Sequence, residues 1–302
     1  MAEGTRAGAM NENMRKEPPR RKRVGLVIGA GSVKCAAAVG AQKALARAGI
    51  DIDLVVGCSA GAIYAALIAA GLDAETIGAM TRRVWTRELT SPRDRRALLS
   101  VMMPRLFGFG AEFGLRSDRL IMQRLNEVFG DMAFETMKIP LFITATDFEN
   151  GELVCASSGS IVDAMRASLA VPFVFKPHRV QGRLCLDGYL SDPMPVGVAI
   201  REGADVIIAL GFESPYQEHI SSAARFAFQV ASVMTNNLRR ASYAFHSMAH
   251  HDEVISVVPQ FKQRIRMFDT AKIEYIIEEG ERATEEQMPY VRRLLDATAQ
   301  GN

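Results

Sequence analysis

The stretch Ile52 to Val56 is apolar and of β type, and it runs without a spacer into Gly57-Cys58-Ser59-Ala60-Gly61 and then into small apolar residues from Ala62 to Ala70. That order predicts strand, tight turn, helix, and so directs the chain toward an α/β fold. Glycines two positions to either side of Ser59 let the backbone reverse sharply without side-chain collisions. The serine hydroxyl is then presented at the start of a helix, where N–H groups and the positive end of the dipole favour developing negative charge. A G-x-S-x-G string alone is a weak signal in a chain rich in Ala and Gly. The strand-to-helix setting is what makes Ser59 a candidate nucleophile.

Similar alternation continues on both sides. Val24 to Ile28 reads as a buried strand, followed by a turn from Gly29 to Ser32 and a helix from about Val33 to Ala48. Further strands are expected over Pro140 to Thr146, Gly151 to Ser157 and Val206 to Gly211, with helices near Ile161 to Ala170 and Val196 to Glu202. Strands alternating with helices predict a three-layer α/β/α fold with a mainly parallel central sheet. Functional groups in such sheets gather at the carboxyl ends of the strands, where both Gly29-Ala30-Gly31 and Ser59 fall. Two segments break the rhythm. Leu98 to Phe113 is rich in large apolar residues and suits either a lipid-facing flap or a buried loop. Ser222 to His251 reads as one long helix whose Phe226, Val230, Val233, Met234, Leu238 and Phe245 are expected to pack in the core.

At 302 residues, 48% hydrophobic and 23% charged, the chain can bury a full-sized core, and one globular domain over residues 23–302 is expected. The net charge is only +2, and the visible basic excess lies in Arg15 to Arg23, so no nucleic-acid partner is expected. Residues 1–22 read as a disordered basic leader, with contact to anionic lipid as the alternative. Cys35, Cys58, Cys155 and Cys185 show no C-x-x-C spacing and no histidine cluster, which argues against a zinc site or a disulfide scaffold and for free thiols in a reducing cytoplasm. The N-terminus has no apolar h-region, and Ala60 to Ala70 is too short to span a bilayer. The expectation is a cytoplasmic protein, soluble or peripheral to a membrane.

A serine nucleophile needs a base and a group that holds the oxyanion. Gly29-Ala30-Gly31-Ser32-Val33-Lys34 follows the first strand and opens a helix, so its amides can point into the space beside Ser59. A dinucleotide turn is the competing reading, but Lys34 stands where the last glycine of G-x-G-x-x-G is required. The base is harder to find. Only His178, His219, His246, His250 and His251 exist, none in an end-of-strand loop; His246 and His250 are four apart, without carboxylates to complete a metal site. The best acid is Asp187, which ends the short apolar strand Leu184-Cys185-Leu186. An ordinary Asp-Gly hairpin turn is the alternative there.

Taken together, these residues resemble the bacterial patatin-like phospholipases, from about Arg23 to about Leu295. The family's glycine-rich loop is similar to Gly29 through Cys35, and its nucleophile elbow to Gly57 through Gly61. Its Thr-Asp followed by Gly-Glu is similar to Thr146-Asp147 and Gly151-Glu152. Its Ala-Ser segment with two spaced prolines resembles Ala167-Ser168, Pro172 and Pro177. Its Asp-Gly-Gly or Asp-Gly-Ala followed by Pro-x-Pro resembles Asp187-Gly188-Tyr189 and Pro193-Met194-Pro195.

The resemblance implies a serine acyl hydrolase acting on fatty-acyl esters of glycerolipids and phospholipids through a Ser–Asp dyad without histidine. Ser59 would be the nucleophile and Asp187 the general base. Gly29, Ala30, Gly31, Ser32 and Ala60 would form the oxyanion hole, with Gly57, Gly61 and Gly188 shaping elbow and turn. Lys34 would order the loop or meet a headgroup phosphate. No metal and no organic cofactor are implied. The expected partners are a lipid or acyl-ester substrate and a membrane surface, with homo-oligomers left open. Two rival readings share the constellation: an acyltransferase or thioesterase using the same acyl-serine, and an inactive lipid-binding scaffold. Ala30, Ser32, Lys34, Cys35 and Tyr189 depart from the family's commoner residues. The added Cβ atoms disfavour positive φ and crowd a substrate oxygen.

Overall fold

The computed structural model describes residues 21–85, 110, 113–115, 119–213, 219–249, 254–266 and 269–296. Among them, strands and helices alternate as β1 (Val24–Ile28), α1 (Ala37–Arg47), β2 (Leu54–Cys58), α2 (Gly61–Ala69), α3 (Ala74–Val84) and α4 (Arg119–Phe129). Then come β3 (Leu141–Asp147), β4 (Leu153–Ala156), α5 (Ile161–Ser168), β5 (His178–Val180) and β6 (Arg183–Asp187). The chain closes with α6 (Val196–Arg201), β7 (Val206–Leu210), α7 (Ala223–Ala249), β8 (Val254–Val257) and α8 (Ile273–Asp296).

The strands form one sheet in the order β5-β6-β3-β2-β1-β7-β8, with β4 also paired to β3. From β3 to β8 the pairings are parallel, and β4, β5 and β6 add antiparallel ones at one side. The central strands β1, β2 and β7 are buried at every position, as expected of parallel strands covered on both faces. Alternate side chains separate into two cores. Val24, Leu26 and Ile28 join the larger one, with residues of α1, α2 and α8, whereas Val27 joins Val56, Met194, Val196 and Ile207 on the opposite face under α6. Each such aliphatic side chain contributes about 1.5–3 kcal/mol relative to leaving it in water. The result is the expected three-layer arrangement.

The pairing of β3 sets up the site. β4 pairs with Ile143 through Thr146, so β2 and β6 must share the other edge of β3. β2 ends with Cys58 opposite Thr144, and β6 ends with Asp187 opposite the next residue, Ala145. Ser59 and Asp187, 128 positions apart in sequence, therefore emerge side by side.

Three differences from the sequence expectations have physical causes. The helix expected from Val33 opens with a tight 3-10 turn, Ser32–Ala36, because Ser32 leaves the glycine-rich loop at φ 56. The second strand extends to Cys58, through Gly57, where a Cβ would lie 2.5 Å from Ala62 Cα; only glycine lets α2 fold back so closely. The long helix forms as α7, but its packing is the reverse of that expected. Phe226, Val230, Val233, Met234, Leu238 and Phe245 are exposed, while Thr235, Asn236 and Arg239 are buried. Apart from Gly110 and Phe113, the segment Leu98 to Phe113 lies outside the described residues, as do His250, His251 and residues 1–20.

Candidate active site

Ser59 sits at φ 55, a left-handed conformation costly for a residue with a Cβ, of the kind found at nucleophile elbows. The elbow survives because its surroundings fix it. Gly61 lies so close to β1 that a Cβ there would meet Ile28 O at 2.3 Å. The Ser59 amide donates to Ser168 Oγ at 2.7 Å, from the last residue of α5. Ser168 is completely buried, and its landmark position beside Ala167 was the only signal of this role in the sequence. Ser168→Ala strands a buried N–H, so it is expected to cost about 1–3 kcal/mol in urea unfolding and to lower ester turnover by loosening the elbow.

Ser59 Oγ donates to Asp187 Oδ2 at 2.6 Å, a distance typical of a charge-assisted O–H···O⁻ bond. Asp187 is wholly buried and held on all sides. Its Oδ1 accepts from the Tyr189 amide at 3.1 Å, its own amide donates to Ala170 O at 3.0 Å, and its carbonyl accepts from Thr146 Oγ1 at 2.9 Å. Thr146 Oγ1 in turn lies 2.9 Å from Ser191 Oγ. Burial pushes the Asp187 carboxyl up to about 7, against the opposing pull of the Ser59 hydroxyl and the Tyr189 amide. Gly188 packs on Thr144 O, which a Cβ would meet at 2.6 Å. The other acid of the Thr-Asp landmark, Asp147, stands apart: it pairs with Arg183 at 3.3 Å, and its amide donates to Glu152 O, closing the turn between β3 and β4.

The glycine-rich loop divides into two parts. Gly29 N donates to Leu210 O at 2.9 Å and Ala30 N to Pro193 O at 2.8 Å. These two amides are therefore used to hold the loop against β7 and the Pro193-Met194-Pro195 segment. Gly31, Ser32 and Ala60 line the cavity together with Ser59. Lys34 Nζ donates to Glu213 O at 2.8 Å and lies 5.8 Å from the centre of the Phe261 ring, tying the loop to the segment after β7. Burial pulls its pKa down, and Glu213 opposes that shift. The Cys35 thiol donates to Gly29 O at 3.3 Å beneath the loop. All four cysteines are free thiols, and burial, reinforced by the Asp187 charge, pushes Cys35 and Cys58 well above the usual thiol range. Neither sulfur is an ionised nucleophile at neutral pH.

The cavity beside Ser59 has a volume of about 170 Å³. Its walls are mostly apolar, including Ile63, Val84, Trp85, Leu169 and Phe175, and Tyr189 narrows it from the Asp187 side. Among the described residues the bonds to the Asp187 carboxylate come from Ser59 and Tyr189 and not from histidine: His178 pairs with Asp163 at 3.3 Å, and His246 packs near Gly197. Among the described residues there is no cluster of His, Cys, Asp and Glu that could hold a metal ion, and no helix long and apolar enough to cross a membrane.

Ser59 thus stands on a strained elbow, hydrogen-bonded to a buried carboxylate, at the wall of an apolar cavity. Comparison with known proteins gives the family. The profile of the patatin-like phospholipases matches residues 26–200, more than half of the chain, and the chain belongs to that family. It is similar to an uncharacterised NTE family protein of Mycobacterium tuberculosis, 34% identical over 188 residues, which are 62% of this chain and 48% of the relative. It is also similar to the neuropathy target esterase sws of Drosophila melanogaster, 30% identical over 189 residues, 62% of this chain and 13% of that one. The chain thus aligns with about half the length of the mycobacterial relatives and much less of the fly protein. Among solved structures it is similar to VipD from Legionella pneumophila, with a TM-score of 0.47, 16% identity and coverage of 93% of this chain and 67% of that one. Human GIVD cytosolic phospholipase A2 has a TM-score of 0.48, 13% identity and coverage of 92% and 59%.

Proposed function

We propose that this chain hydrolyses fatty-acyl esters of glycerolipids and phospholipids through an acyl-enzyme, with Ser59 and Asp187 as the working dyad. The observation that carries the reading is the 2.6 Å bond from the Ser59 hydroxyl to a carboxylate held buried and near neutrality. Ser59 Oγ attacks the acyl carbonyl while Asp187 Oδ2 takes its proton. The same proton is passed to the departing alcohol as the C–O bond breaks. Water then enters and attacks the acyl-serine while Asp187 takes one of its protons; as the acyl–Oγ bond breaks, Asp187 returns that proton to Ser59 Oγ and the fatty acid is released. The Ala60 amide at the start of α2 and the turn at Gly31 and Ser32 are the donors assigned to the oxyanion. The apolar walls of the cavity suit an acyl chain.

Only an ionised Asp187 can accept the serine proton. Turnover should therefore rise as pH passes about 7 and level off above it. Incubating purified protein with phospholipid, lysophospholipid and acyl-CoA, and identifying the products by mass spectrometry, tests the substrate class. Free fatty acid released from glycerolipid is the expected product. Acyl groups delivered to an added alcohol instead would make the chain a transferase, and cleavage confined to acyl-CoA would make it a thioesterase.

A further inference from the structure

Helix α7 is built inside out. Over its 27 residues, the inward face buries Thr235, Asn236 and Arg239, while the outward face leaves Phe226 58%, Met234 66%, Phe245 65% and Met248 82% exposed. At about 3.6 residues per turn, these four fall on one stripe with Val230, Val233 and Leu238, all exposed too. Ile220, just ahead of the helix, is likewise exposed. A helix on a water-soluble surface ordinarily shows the opposite pattern, and a contiguous apolar stripe of this length marks a contact surface. The stripe is not accidental relief beside an unrelated core, because Phe228, Ala231, Ser232 and Thr235 on the inner face form one wall of the cavity that holds Ser59.

The charges on α7 indicate what the stripe meets. The helix contains Arg225, Arg239 and Arg240 and no aspartate or glutamate. Arg225 and Arg240 are exposed, Arg240 beside the edge of the stripe, and among the described residues the acid near Arg240 is the off-helix Glu213, at 3.8 Å. A second copy of α7 laid on this face would bring arginines together with no acid on either helix to answer them. Anionic headgroups answer them, and the acyl region accepts the phenylalanines and methionines, as for amphipathic helices lying in a membrane interface.

We propose that the outer face of α7 docks this protein onto an anionic lipid bilayer, with the same helix separating the bilayer from the Ser59 cavity. The inference rests on the lipid hydrolase reading above for its purpose, and on the composition and packing of α7 for its location.

The test uses the full chain and the triple variant Phe226→Gln, Met234→Gln, Phe245→Gln, none of which lines the cavity. Both are sedimented with vesicles of phosphatidylcholine alone and with vesicles that also contain phosphatidylglycerol. In parallel, hydrolysis of soluble p-nitrophenyl butyrate, melting temperature and oligomeric state are measured. The wild type is expected to pellet with the anionic vesicles, and the variant to bind them about tenfold less or weaker, with butyrate hydrolysis and melting temperature unchanged. Equal sedimentation of variant and wild type overturns the proposal. A wild type that ignores vesicles but is a dimer, dissociated by the substitutions, assigns the face to self-association and overturns it as well. A variant that loses butyrate hydrolysis together with its melting temperature shows the stripe packed within the chain, with the same consequence. A wild type that binds anionic vesicles through α7 yet cleaves no ester supports the docking face and refutes the hydrolase reading alone.

Discussion

Ser59→Ala is expected to abolish release of p-nitrophenol from medium-chain esters, a loss on the order of 10⁴-fold or more, with the circular dichroism spectrum unchanged. The substitution removes the nucleophile and little else. Alanine carries the same Cβ, so it tolerates φ 55 as poorly or as well as serine does, and its amide keeps the bond to Ser168. The neighbouring thiols do not take over, because Cys35 and Cys58 are held neutral by burial and by the nearby carboxylate. Retained turnover in this variant, with the fold intact, would mean that the chemistry lies elsewhere.

Asp187→Asn should be almost as damaging to turnover, and the double variant scarcely worse than either single one, because the pair acts as a unit. His178→Ala and His246→Ala should leave most activity. Asp187→Asn should nevertheless stabilise the protein at alkaline pH. The Asp187 carboxyl titrates near 7 in the fold and at its ordinary 3.8 when exposed, so between these values the folded state holds a proton that the unfolded state lacks. Stability therefore falls as pH rises through that window, and the full penalty persists above it. The interval corresponds to at most about 4 kcal/mol. Asparagine carries no such penalty. Melting temperatures at about pH 5 and about pH 8 should show the variant gaining on the wild type as pH rises; a variant relatively weaker at the higher pH would show that Asp187 is not strained by burial.

Much of this site could be read from the chain because its parts are local. β1 announces itself as five consecutive apolar residues, the elbow as glycines flanking a serine, and Asp187 as the acid closing a short strand. What was hidden depends on residues far apart in sequence. No local pattern shows that Gly29 and Ala30 spend their amides on Leu210 and Pro193, or that Ser168 receives the amide of Ser59 109 positions away. The packing of α7, though not the helix itself, was hidden for a different reason. Spacing reveals that a helix has an apolar stripe, but the direction in which the stripe points depends on what the other face must line. Here that face serves the cavity. The charged helix α8, with Pro289 inside it, was not anticipated at all, since its apolar positions are diluted by glutamates and arginines.

Reaction with an alkyl fluorophosphonate, followed across mildly acidic to mildly alkaline pH and mapped by peptide mass spectrometry, asks whether Asp187 activates Ser59. The expected result is a single adduct on Ser59, formed faster as pH rises through about 7 and nearly lost in Asp187→Asn. An adduct on another residue, or labelling of Ser59 that is undiminished in Asp187→Asn, would contradict the dyad.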